Sequence, residues 1–398
     1  MKGIQGKRGS SKSDNPTFTK EISFGSEINP ELVGMDITGV KKLVDVFNSQ
    51  ITKGLHFGAQ LVMVRHGQVV LDRVAGFANV RKKRPVTKNT LFHCFSITKP
   101  FTAICIHKLI EEGKIELDAP VAEYWPEFGC KGKETASIRH VFLHQAGIPS
   151  RGIYKQIPLW VNWNWVTKNV ANLEAEFQPG SKTSYHLVNY GFILGEVVRR
   201  VTGKTIKAYL QDKFLVPLKL EHTYLGLPWK KLSDSARIYS GDSDQDPLVF
   251  LFNLPFIRGA VLPAATLNST ARDVATFFQM LINRGKYAGK QYVASSTILD
   301  AIALGYKGYD ETIEAEMHWA LGFHLGGLRR PQDPPGSGMG YRSSLTTFGH
   351  FGQNSSMVWA DTEYELVVCL MTNRLLSGEE NTLRFQEISD AVWDAIAS

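Results

Sequence analysis

The stretch HCFSITKPFTAICIHKLIEEGKIELDAPV, His93 to Val121, decides the fold. Ser96 stands three residues before Lys99, at the head of a run holding Phe101, Ile104, Cys105, Ile106, Leu109 and Ile110. Apolar residues on most sides predict a buried helix, ending near Gly113. Residues i and i+3 share one helix face, so the Lys99 amine can reach the Ser96 hydroxyl. A serine hydroxyl is a poor nucleophile until a base takes its proton. A lysine is such a base only where burial or nearby cations lower its pKa. Ser-x-x-Lys alone is a weak signal, because a helix N-cap followed by a surface lysine has the same spelling.

Working outward, residues 36–52 have helical spacing at Val40, Leu43, Val44 and Phe47. Two β-like runs follow, Gln60–Arg65 and Gln68–Val74, joined through His66-Gly67 as in a hairpin. Residues 114–262 are rich in short helical runs, Trp and Pro, with few clear strands. Helices are predicted over Tyr190–Val201, closed by Gly203, and over Thr205–Phe214, closed by Pro217. LWVNWNW (Leu159–Trp165) and PLVFLFNLPF (Pro247–Phe256) are apolar stretches among polar loops, each suited to lining a pocket or to packing. From Ser269 the pattern is regular again. Thr270 to Asp273 resembles a capping box; strands are expected near Leu345–Phe348, Ser355–Ala360 and Glu365–Thr372, then a helix from Leu383 to Ala397.

Two further segments carry possible chemistry. Tyr185 follows Pro179-Gly180 just before a helix, where its phenol could relay a proton; a core tyrosine reads the same way. Phe348-Gly349-His350-Phe351-Gly352-Gln353 ends a predicted strand. Gly352 lets backbone approach a ligand, so the Gln353 amide could join that of Ser96 in an oxyanion hole, each donor being worth about 10²–10³ in rate.

Ser-x-x-Lys, then Pro-Gly to Tyr185, then His-x-Gly: this order resembles the serine β-lactamase/penicillin-binding-protein-like superfamily. Within it the chain is most similar to the class-C-like branch that includes the family VIII carboxylesterases. Ile97–Phe128, Ile138–Pro149, Leu267–Leu281 and Phe348–Arg374 also resemble family stretches, so the resemblance spans about residues 35–396. It implies an α/β (α+β) fold, with an antiparallel sheet flanked by helices, a mostly helical inserted domain and the active site between them. The expected division is a disordered basic tail over 1–25, a discontinuous α/β domain over 26–95 and 263–398, and a helical domain over 96–262. The implied roles are Ser96 as acylated nucleophile, Lys99 and Tyr185 as proton acceptors, and the Ser96 and Gln353 amides as oxyanion hole. His350-Phe351-Gly352 would line the substrate site in place of Lys-Thr-Gly. No metal or organic cofactor is implied.

Two departures from the family pattern matter. Leu187 stands where Tyr-x-Asn has its amide, and His350 stands where Lys-Thr-Gly has its fixed cation. Both favour neutral esters over β-lactams and peptides, so a carboxylesterase acting on short acyl esters is expected. The same machinery would serve a β-lactamase, a D-amino peptidase, a small-amide hydrolase or an acyltransferase to an alcohol. A binding or sensor protein on this scaffold is the non-catalytic alternative.

Composition agrees with a globular enzyme: 398 residues, 43% apolar and 21% charged. The net charge is +7, and the first twenty residues hold five Lys/Arg and one Asp, so over half of the excess lies in the tail. No clustered basic helix supports a nucleic-acid partner. The expected partner is a small-molecule ester, with neither nucleic acid nor membrane involved. Cys94, Cys105, Cys130 and Cys369 lack CxxC spacing; Cys105 in an apolar helix and Cys369 in an apolar strand suit buried free thiols, which favours a reducing compartment, although four cysteines could still pair. With no signal-type h-region, a cytoplasmic location is expected. Ser13-Asp14-Asn15 copies a class A motif but precedes Ser96. His140 and His144 are spaced i, i+4 like zinc ligands, but without the glutamate of His-Glu-x-x-His. Gly-x-Ser-x-Gly, Walker and Rossmann patterns are absent from the sequence.

Overall fold

A computed structural model describes residues 22, 24–149, 159–241, 246–327, 338–376 and 378–397. Helix α1 spans Ile37–Thr52, α2 Thr98–Glu111, α3 Asn189–Thr202, α4 Ala271–Ile282 and α5 Gly378–Asp394. The main sheet is built from β1 (Gly58–Arg65), β2 (Gln68–Asn79), β3 (Arg84–Pro85), β4 (Tyr306–Asp310), β5 (Ala315–Trp319), β6 (His324–Leu325), β7 (Thr347–Gly352), β8 (Ser356–Asp361) and β9 (Leu366–Thr372). Among the described residues its order is β4-β5-β6-β7-β8-β9-β1-β2-β3, antiparallel throughout.

Alternation along the strands explains the layers. Val62, Val64, Val358, Val367 and Cys369 face one core with Phe277 and Phe278 of α4. Leu61, Met63, Trp359, Val368 and Leu370 face the other, with Leu43 and Phe47 of α1 and Ile388 and Val392 of α5. Both faces of β1 and β9 are therefore covered, and every residue of both strands is buried. The first and last helices pack together here, where Asp36 N donates to Ala395 O at 2.8 Å. Helices between β3 and β4, α2 and α3 among them, form the second layer.

Most predicted elements recur within a few residues. Thr270 caps α4, its hydroxyl accepting from Asp273 N. The reciprocal half of the box is missing, because the Asp273 carboxylate instead accepts from His222 N and the Thr223 hydroxyl. Helix Ile206–Leu210 is shorter than expected and passes into a wider turn over Gln211–Leu215. Strands β4 to β6 had no counterpart in the sequence reading. The expected tail and its Ser13-Asp14-Asn15 lie outside the described residues except at the tail's end. There Ile22 is buried and its amide donates to the Tyr287 hydroxyl, so packing begins before residue 26. Among the described residues no helix is long and apolar enough to cross a membrane.

Candidate active site

Ser96 does not lie inside α2. It sits in a 3-10 turn, Phe95–Ile97, leading into the helix, and Phe95 has φ +46°. Two contacts hold this turn: the Thr98 hydroxyl donates to Phe95 O at 2.5 Å and accepts from Leu267 N at 3.0 Å. Ser96 itself stays partly open while its neighbours are buried.

Lys99 Nζ lies 3.1 Å from Ser96 Oγ. The side chain is 1% exposed, and burial holds its pKa well below the usual lysine value. Its surroundings are aromatic: Nζ is 4.5 Å from the centroid of the Tyr185 ring and 5.8 Å from that of Tyr190. Burial with no acid partner among the described residues favours the neutral amine, so Lys99 can accept the Ser96 proton.

Tyr185 is fixed from several sides. Its backbone N donates to Asp310 Oδ1 at 3.1 Å. Its ring stacks on Trp319 at 5.6 Å and meets His144 edge-on at 4.5 Å. Leu187, two residues on, has φ +48°, and the next carboxamide in the chain, Asn189, is fully buried and donates to Pro149 O at 2.7 Å.

On the other side of Ser96, β7 brings in His350 and Gly352. A Cβ on Gly352 would lie 2.3 Å from Cys94 O, so only glycine lets the strand end approach the nucleophile turn this closely. Gln353, exposed, begins the turn after it. This turn is pinned from behind by Arg384 of α5, whose Nη2 donates to Asn354 O at 2.8 Å. The same fully buried guanidinium reaches Leu55 O and Arg374 O, both at 3.1 Å. Phe351 stacks on Phe385 at 5.9 Å and meets His324 edge-on at 5.6 Å.

His350 is buried with its ring 6.4 Å from Tyr185 and 4.4 Å from His324. Its Nδ1 lies 2.9 Å from Phe351 O. A carbonyl only accepts, so Nδ1 carries the proton and Nε2 is left as an acceptor. Burial, then His324 and Lys99, keep the His350 pKa well below the usual imidazole value. Burial and Lys99 bring His324 to about 3. His144 is likewise lowered by burial, then by His186 and Lys99. These imidazoles are neutral at pH 7, and none supplies the fixed cation of a Lys-Thr-Gly site.

The structure thus brings Ser96, Lys99, Tyr185, His350 and Gly352 to one place. Sequence reasoning missed Asp310, Trp319 and His324, which reach it from the unpredicted strands β4 to β6. It weighed His144 only as a metal decoy; the ring is instead a wall against Tyr185, and His140 closes a capping box with Ser137. Cys94, Cys105 and Cys369 are buried free thiols, and Cys130 is half-buried.

Known proteins resemble this chain in sequence and fold. The family model described as Beta-lactamase matches residues 45–392. "Esterase/beta-lactamase LipL" of Mycobacterium tuberculosis is 28% identical over 80% of this chain and 78% of its own. A crystal structure of a family VIII carboxylesterase superposes with TM-score 0.77 at 27% identity, over 89% of this chain and 98% of its own. A penicillin-binding protein homologue from Caulobacter crescentus gives TM-score 0.77 at 26% identity, over 91% and 99%. With its β-lactamase-like fold and its serine–lysine pair, the chain belongs to the beta-lactamase family and is a serine hydrolase.

Proposed function

We propose that the chain is a carboxylesterase that cleaves short-chain acyl esters of uncharged substrates. The observation that carries this reading is the buried Lys99 amine, 3.1 Å from Ser96 Oγ, in a wall whose imidazoles are neutral. In the proposed mechanism Ser96 Oγ attacks the ester carbonyl as its proton passes to Lys99, with Tyr185 beside the amine. The Ser96 and Gln353 amides hold the oxyanion. The tetrahedral intermediate collapses, and the alkoxide leaves with the proton. Water, activated by the same pair, then splits the acyl-Ser96 ester and frees the carboxylic acid.

Neutral His350 supports esters over β-lactams, because nothing at that position offers a fixed charge to a substrate carboxylate. LipL is named as both an esterase and a β-lactamase, so the test compares the two activities. Hydrolysis of p-nitrophenyl acetate, butyrate and octanoate is measured beside a chromogenic cephalosporin, for wild type and Ser96→Ala. The expected result is turnover of the short esters, little of the cephalosporin, and loss of nearly all ester activity in the variant. Loss of the nucleophile in a comparable enzyme costs about 10⁶ in kcat. A better rate on the cephalosporin would overturn the substrate class; full ester activity in Ser96→Ala would overturn the mechanism. A cytoplasmic site of action, with neither nucleic acid nor membrane as partner, goes with this reading.

A further inference from the structure

Of the two apolar stretches singled out in the sequence, Leu159–Trp165 and Pro247–Phe256, the second sends Phe252 against Phe95, beside Ser96, with ring centroids 5.1 Å apart, while its last residue, Phe256, meets the first. They border a cavity of about 440 Å³ whose walls include Trp160, Trp163, Ile206, Phe256 and Val261. That volume lies in the range of small-molecule sites, ~300–1,000 Å³. At its mouth Phe256 and Val161 are each 48% exposed. The cavity lies toward the far end of α3 from the catalytic centre. Tyr190, near Lys99, and Arg199, at the cavity, are nine residues apart on that helix, or about 14 Å at 1.5 Å per residue.

Its charge is one-sided. Lys207 lines the cavity, half-buried, and donates to Gly226 O at 3.2 Å. Among the described residues it has no carboxylate partner, so two of its three donors remain for a ligand. Arg199, also in the lining, shares the Glu196 carboxylate with Arg200, which also pairs with Glu127, so this cluster of two arginines and two glutamates is balanced and the uncompensated charge is that of Lys207. Among the described residues no acidic residue lines the cavity. Lys207 also borders a neighbouring cavity of about 340 Å³, but Glu221 lines that one and would repel an anion.

We propose that the cavity between Trp160, Trp163 and Phe256 binds an amphipathic carboxylate, its apolar body against the aromatic walls and its carboxylate at Lys207. This site is separate from the proposed hydrolytic site and does not depend on its assignment.

The test titrates the full chain with sodium decanoate and with decanol, following tryptophan fluorescence and calorimetry. Saturable decanoate binding is expected, at least about tenfold tighter than decanol, as befits a charge-assisted contact. Lys207→Met should weaken decanoate by a similar factor while leaving decanol unchanged. Phe256→Asp, at a half-exposed position, should abolish binding of both. Hydrolysis of p-nitrophenyl acetate should show no competition from decanoate. Absence of saturable binding, equal affinity for decanol, indifference to both substitutions, or competition with the ester would each overturn the proposal. Should Lys207→Met fail to fold, the decanoate–decanol comparison on wild type still decides.

Discussion

Replacing Lys99 with methionine should cripple catalysis and yet stabilise the protein, with a pH dependence that identifies the cause. Met keeps much of the apolar stem between the Tyr185 and Tyr190 rings but carries no proton. In wild type, burial lowers the native pKa of Lys99, whereas the unfolded chain retains an ordinary lysine. Between the lowered value and about 10.5 the unfolded state therefore binds one more proton than the native state. Across that window wild-type stability climbs with pH by about 1.4 kcal/mol per unit from this residue alone. The penalty is greatest at low pH and vanishes above the unfolded pKa. Lys99→Met lacks it, so its advantage should be largest on the acid side and shrink by about 1.4 kcal/mol per unit as pH rises. Guanidinium unfolding followed by tryptophan fluorescence at several pH values gives the difference, in which the shared ionisations cancel. Ester kcat/KM should fall by about 10²–10⁴, the usual contribution of a general base. A variant less stable than wild type at neutral pH, a difference that ignores pH, or activity within tenfold of wild type would refute the reasoning.

Gly352→Ala sets a methyl 2.3 Å from Cys94 O, so the strand end must withdraw and carry the Gln353 amide with it. A fall in kcat of about 10²–10³ is expected, with KM little changed and a stability loss of about 1–3 kcal/mol; wild-type kcat would show that this approach does not serve catalysis. His350→Lys restores the cation that the site lacks. It should raise turnover of a chromogenic cephalosporin and lower that of neutral esters, and an unchanged ratio would remove His350 as a determinant of substrate class.

The proposed nucleophile and base, Ser96 and Lys99, were legible as a pair because they lie one turn apart, within reach of local geometry. What the spacing misplaced was the turn: Ser96 precedes the helix proper, in a 3-10 segment set by the Thr98 hydroxyl and by Leu267 from far along the chain. The central strands were legible from their apolar runs. Strands β4 to β6 were not, because β4 carries Lys307 and Gly308 with alternating exposure and β6 has only two residues. The alternation of Met317 and Trp319 about His318 was the available signal in β5. With those strands went Asp310, Trp319 and His324, whose relation to Tyr185 is purely tertiary. His144 was hidden for a different reason, since its i, i+4 partner suggested a metal while its role depends on a Tyr185 ring forty residues away.

The order of strands has a bearing on how the enzyme is made. β1 is flanked by β2, which follows it at once, and by β9, which arrives about three hundred residues later. During vectorial synthesis the serine–lysine pair leaves the ribosome about 250 residues before β7, the Gln353 turn and the Arg384 that pins it. Until then one edge of β1 is open, and the nascent chain holds a nucleophile with nothing to receive the charge of an oxyanion. On the proposed mechanism hydrolytic power is withheld until these strands emerge, and the same strands cover the edge of β1 most exposed to mispairing.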